Sequence, residues 1–188
     1  IPPFVVIGDG RAIEAVWPGP IARVSGVEDV ERAFADALPV LTVEAAGAIR
    51  PGVPDADGAR SALASLEAAV GLVRSGAARA LVTGPVSKAQ LYGAGFTHPG
   101  QTEFVAERCG VAARNAVMML AGPDLRVVPL TVHIPLSHAP RQLTVELILT
   151  KARVTARGLQ RNFGVDRPRL AFAGLNPHAG EGGALGRE

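Results

Sequence analysis

Cysteine is nearly absent from this sequence: Cys109 is the only one in 188 residues. No internal disulfide and no cysteine-based zinc cluster can form, and a single thiol, expected to be buried or inert, agrees with a reducing compartment. Long apolar runs are also missing. The longest, such as Phe4 to Ile7 and Ala116 to Ala121, are strand-sized and fall far short of the ~20 residues that a membrane helix needs. Nor is one sign of charge in excess: 19 Lys and Arg stand against 17 Asp and Glu, a formal net charge of +2. The basic residues are scattered along the chain, so neither a nucleic-acid groove nor a polybasic membrane patch is expected. The chain opens on Ile1-Pro2-Pro3 with no basic segment before its first apolar run, so no signal peptide is read and a cytoplasmic location is expected. The sequence shows neither an internal repeat nor a low-complexity tract. The Gly-rich stop at Gly186-Arg187-Glu188, like the abrupt start, leads us to expect cuts through a longer protein at both ends.

What is present is apolar residue, 48% of the chain, enough to bury a core without disulfides or structural metal in one large domain or two small ones. Short aliphatic runs alternate with longer segments of helical period, the pattern of βαβ units around a mostly parallel sheet. Strands are predicted at Phe4 to Ile7, Ile21 to Val24, Ala80 to Thr83, Ala116 to Leu120, Arg126 to Val132 and Arg169 to Ala173. The spacing of Ala59, Ala62, Leu63, Leu66, Ala69, Val70 and Val73 predicts a helix over Gly58 to Arg74, with Asp57 as its N-cap. A second helix is predicted over Thr144 to Asn162, with Val145, Ile148, Leu149, Ala152, Ala156 and Leu159 inward. On this reading Lys151, Arg153, Arg157 and Arg161 form a solvated outer stripe, and Gly164 suits the C-terminal stop. Residues Glu44 to Asp57 read as a long, potentially functional loop. A domain boundary is placed near Thr97, dividing the chain into 1–97 and 98–188.

Four constellations could carry chemistry. Thr83-Gly84-Pro85-Val86-Ser87-Lys88 lies where a predicted strand enters a short helix, the ligand-facing edge of a parallel sheet, with Lys88 able to reach an anion; a structural turn needs the same Gly and Pro. Thr97 to Glu103 is a polar turn before a helix, in which Thr102 suits either an anion or an ordinary N-cap. His133 stands at the end of a predicted strand, with His138 as a possible partner. The loop from Leu175 to Gly183 places Asn176, His178 and Glu181 among three glycines, an unusual composition for a simple connection. If their strands are parallel neighbours, His133 and His178 reach one edge of the sheet, where two imidazoles and a further ligand could hold a divalent ion.

In this order, the Thr-Gly-Pro-Val-Ser-Lys block ending at Lys88, Pro99-Gly100-Gln101-Thr102-Glu103-Phe104, Val117 to Ala121, Thr131-Val132-His133-Ile134-Pro135-Leu136 and Gly174 to Gly183 resemble the 4-hydroxythreonine-4-phosphate dehydrogenase family. The resemblance runs from Phe4 to the last residue. It implies an α/β fold, the αβα sandwich of isocitrate and isopropylmalate dehydrogenases, with two domains, a cleft and a homodimer, incomplete in this chain. It also implies NAD or NADP, a divalent metal (Zn, Mg, Mn or Co) and oxidation of a phosphorylated hydroxy amino acid with loss of CO₂, a step of pyridoxal phosphate synthesis. By the same resemblance, His133 and His178 match two metal ligands, and the third histidine would lie beyond Glu188. Thr102 matches one of two substrate-contacting residues, whereas Gln101 stands where the family has His. Lys88, Asn176 and Glu181 are the candidates for catalytic roles. Gly10 and Ala184 replace a frequent Pro and a frequent His. The departure at Gln101 keeps a relative acting on a four-carbon aldonate phosphate open, and the missing histidine keeps open a non-catalytic fragment.

Overall fold

A computed structural model of the protein describes residues 1–43 and 47–186, which group into two compact units, Ile1–Gly100 and Gln101–Glu188. The first is built on three short parallel strands, β1 (Val6–Gly8), β2 (Ile21–Val24) and β3 (Leu38–Thr42). Their spatial order is β1-β3-β2, with Val40 opposite both Val6 and Arg23. This central position takes Val40 to 0% exposure. The α/β class expected from the alternation is the one observed. Strand β3 is absent from the predicted strands, and its Pro39 is a residue unusual in a central strand. The Leu38 N–H donates to the Pro20 carbonyl on the β2 side, so strand alternation turns the missing Pro39 N–H toward β1, whose ladder begins only at Val40.

Helix α1 (Gly10–Glu14) follows β1 directly. The buried Asp9 caps it: Oδ1 accepts from the N–H groups of Arg11 at 2.9 Å and Ala12 at 3.1 Å. A Cβ at position 10 would come within 2.9 Å of Thr42 Oγ1, which accounts for glycine there on local grounds. Helix α2 (Val30–Phe34) leads into β3, and α3 (Ala56–Arg74) packs on β1 and on α4 (Lys88–Gly93). The N-cap of α3 is Asp55, not Asp57: its carboxylate accepts from the Gly58 N–H at 2.8 Å. Asp57 falls inside the first turn and pairs with Arg60 instead. The loop read over Glu44 to Asp57 is thus shortened by the start of α3, and its residues 44–46 lie outside the described residues.

The second unit holds α5 (Gln101–Arg108), a two-stranded hairpin of β4 (Leu120–Ala121) and β5 (Arg126–Val127), α6 (Ala139–Gln142) and α7 (Val145–Phe163). Its buried apolar residues include Phe104, Ala106, Ala139 and Leu159. Helix α7 is framed as the sequence requires: Thr144 Oγ1 accepts from the Leu147 N–H at 3.1 Å, and Gly164 ends the helix at φ 66°. Thr144→Ala is expected to lower stability by about 1 kcal/mol; a urea midpoint unchanged by this substitution would show that α7 is held by packing alone.

Several predicted strands differ. Ala80 to Thr83 and Arg169 to Ala173 have no ladder partner among the described residues, and Val82 is 93% exposed. Aliphatic sequence becomes strand only beside a neighbour about 4.8 Å away. Phe4 to Ile7 shifts to β1, Ala116 to Leu120 overlaps the antiparallel, exposed β4 only at Leu120, and Arg126 to Val132 contracts to the exposed β5. Val145 and Leu149 are exposed, not inward, and Cys109 is exposed, not buried. Among the described residues no helix is long and apolar enough to cross a membrane.

Candidate functional site

Lys88 is the first residue of α4 and is exposed; the preceding Ser87 occupies the N-cap without a side-chain cap bond. It lies in the first unit, whereas the other candidates lie in the second.

Gln101 opens α5, and Thr102 sits inside its first turn with its side chain exposed, so Thr102 is not the N-cap. The helix is anchored by Phe104, 1% exposed, with the Arg108 guanidinium 4.6 Å from its ring centroid. Burying position 104 and exposing position 102 follows from helical geometry, since residues two apart face different ways. The turn therefore presents Gln101 and Thr102 from a fixed base.

His133 is exposed in the irregular segment after β5, not at the end of a strand, and has φ 57°. A non-glycine residue in this region is strained, and such strain collects at functional positions. His138 closes a short 3₁₀ turn at the surface.

The loop from Gly174 to Gly186 is organised by Asn176. Its Oδ1 accepts from the His178 N–H at 2.9 Å, and its Nδ2 donates to the Leu185 carbonyl at 3.1 Å. Both ends of the amide are thereby spent on the loop itself. Gly180 has φ 77°, and a Cβ there would meet the Gly186 carbonyl oxygen at 2.5 Å, so only glycine lets the loop close. Ala179 and Glu181 also have positive φ, 50° and 45°. Within this frame His178 Nδ1 stands 3.4 Å from Glu181 Oε1. Both side chains are largely exposed, and a carboxylate beside Nδ1 is an arrangement common around metal-binding histidines.

Two imidazoles, one backed by a carboxylate, are the donor chemistry that a zinc-like divalent ion takes. Among the described residues, however, no group of three His, Cys, Asp or Glu side chains is placed to hold one. The structure puts His133 and His178 on loops of one unit, neither at the end of a strand.

One group was read wrongly from the sequence. Lys151 is partly buried, and its Nζ donates to the Ala116 carbonyl at 2.5 Å, whereas Arg153, Arg157 and Arg161 are exposed as expected. Burial holds the Lys151 ammonium below the usual lysine range, and the Glu103 carboxylate opposes that shift. The helical stripe gave no signal for this, because period alone cannot tell where the head of a long side chain returns.

The chain matches the family described as pyridoxal phosphate biosynthetic protein PdxA over residues 2–188. A 4-hydroxythreonine-4-phosphate dehydrogenase of Zymomonas mobilis is 55% identical over 188 residues, covering 100% of this chain and 56% of that protein. One of Erythrobacter litoralis is 48% identical, covering 99% of this chain and 56% of that protein. A crystal structure of 4-hydroxythreonine-4-phosphate dehydrogenase from Klebsiella pneumoniae superposes with a TM-score of 0.83 at 29% identity, over 97% of this chain and 57% of that one. The chain thus spans about half the length of the curated relatives it matches.

Proposed function

The chain belongs to the PdxA family of pyridoxal phosphate biosynthetic proteins, and from that premise we propose that the whole protein oxidises 4-phosphohydroxy-L-threonine with NAD and a divalent metal, with loss of CO₂, to 3-amino-2-oxopropyl phosphate. The structural observation that carries the reading is the Gly174 to Gly186 loop, whose strained backbone and Asn176 clamp hold His178 against Glu181. In a simple connection such strain has no return; at a ligand site it fixes a donor.

The roles follow from what each side chain can do. His133 and His178 are two of the metal ligands, and the third lies outside the described residues. The ion, when bound, supplies Lewis-acid polarisation of the substrate's hydroxyl oxygen; NAD, or NADP in its place, supplies the hydride acceptor. Glu181 is the carboxylate beside His178 that supports it as a ligand. Gln101 and Thr102 hydrogen-bond the substrate: an amide donates and accepts as a neutral imidazole does, but it does not exchange protons near neutral pH. Proton transfer is accordingly not assigned to position 101. Lys88, exposed at the start of α4, is a candidate to bind an anionic group. The same reading takes the working protein to be a cytoplasmic homodimer.

A second reading rests on Gln101 alone: a dehydrogenase of a four-carbon aldonate phosphate with the same metal and cofactor. NADH formation by the complete protein, with the two substrates side by side and with and without chelator, separates them. Chelator-sensitive turnover of the amino substrate is the expected result. Turnover of the aldonate phosphate alone would move the protein to sugar-acid catabolism, and turnover of neither would overturn both. The 188-residue chain by itself is expected to give no turnover, since among its described residues no three-ligand metal group is present.

A further inference from the structure

Glu103 and Lys151 lie outside every role assigned above, yet both are partly buried in the second unit. Glu103 follows Thr102 on α5, and its Oε2 is buried with no hydrogen-bond partner among the described residues. Lys151 comes from the middle of α7 and donates to the Ala116 carbonyl at 2.5 Å. Ala116 ends the short 3₁₀ turn at Ala113–Asn115, and both α5 and α7 pack on that turn. An ammonium has three N–H donors and no acceptor, so the bond to Ala116 leaves two for other oxygens. A buried carboxylate oxygen without a donor is destabilising; Lys151 makes no hydrogen bond to Oε2, but α7 carries its cation to the turn on which α5 packs, where the two charges attract.

We propose that Lys151 and Glu103 are positioning residues for the substrate-binding turn: Lys151, anchored on the Ala116 carbonyl, compensates the buried Glu103 carboxylate and so fixes the rotation of α5 that presents Gln101 and Thr102. The inference rests on the reading of Gln101 and Thr102 as substrate contacts. Neither Lys151 nor Glu103 touches the reacting atoms. Their effect is on where the turn stands, and misplacing a binding group by a fraction of an ångström weakens the contacts it makes.

The test uses the complete protein carrying Lys151→Met, Lys151→Arg, Glu103→Gln, the Lys151→Met/Glu103→Gln double change, or Thr102→Ala. Lys151→Met is expected to raise KM for the phosphorylated substrate about tenfold with kcat within about twofold, the signature of lost binding. Lys151→Arg, which keeps the charge, should restore most of the loss. The double variant should be no worse than the poorer single one, because groups acting as a unit are not additive. Thermal midpoints measured alongside separate this from loose folding, since a purely structural role lowers the midpoint and leaves KM in place. If Thr102→Ala raises KM but Lys151→Met and Glu103→Gln do not, the positioning role is overturned and the substrate reading stands. If Thr102→Ala itself leaves KM unchanged, the substrate reading falls and the proposal with it.

Discussion

His133→Ala and His178→Ala, each made in the complete protein, are expected to reduce chelator-sensitive NADH formation by about a thousandfold or more, the consequence of losing several kcal/mol of charge stabilisation. The two should fail for the same reason and so should show the same secondary sign, loss of bound divalent metal from the purified protein. Glu181→Gln is the graded control. It keeps a hydrogen-bond acceptor 3.4 Å from His178 Nδ1 but removes the negative charge, and a loss of about ten- to hundredfold in metal affinity is the usual scale for such a partner. His138, at the surface of a short turn, should tolerate alanine. Near-normal turnover by either histidine variant would remove the metal assignment from that residue, and full metal content with no turnover would move it from binding to chemistry.

The largest effect on stability is expected at Phe104. The side chain is 1% exposed, the largest of the fully buried ones, and the helix that carries it has only eight residues. A helix that short does not persist in water without tertiary packing, so Phe104 holds α5 in place. Phe104→Ala should lower unfolding stability by about 3–5 kcal/mol, read as a fall in the urea midpoint. Phe104→Leu keeps most of the volume and should lose far less. Because Thr102 and Glu103 ride on the same helix, the alanine variant should also lose affinity for substrate at temperatures where it remains folded. A midpoint within about 1 kcal/mol of the parent would mean that α5 is held by its ends instead.

The two long helices were legible in the sequence because their signals are local: a stripe of period 3.6 in each and Gly164 after α7. Asp55 and Asp57 show the resolution of such reasoning, since either aspartate can cap a helix and only the backbone decides which one is extended. Strands were less legible. Val82 and Phe172 have every intrinsic preference for a sheet, but a strand is defined by its neighbour, and the described residues supply none at either segment. In β3 the reverse happened: Pro39 speaks against a strand, and the direction of one missing N–H removes the objection. At the site, His178, Glu181 and Asn176 stood out as a polar group among glycines, but their division of labour did not. That Asn176 is the clamp and Glu181 the support depends on which atoms face which. Lys151 was hidden altogether, because its partner carbonyl lies 35 residues away.

The strand order β1-β3-β2 also dictates an order of assembly. During synthesis β1 and β2 emerge first, but they are never ladder neighbours; they stand on either side of a slot one strand wide, which only β3 can fill. Until Leu38–Thr42 has left the ribosome, neither earlier strand has its native partner and both keep open backbone edges. Among the described residues the three strands therefore close into a sheet only when β3 arrives, and a ribosome pausing shortly before this segment would leave exposed edges that another chain can pair with.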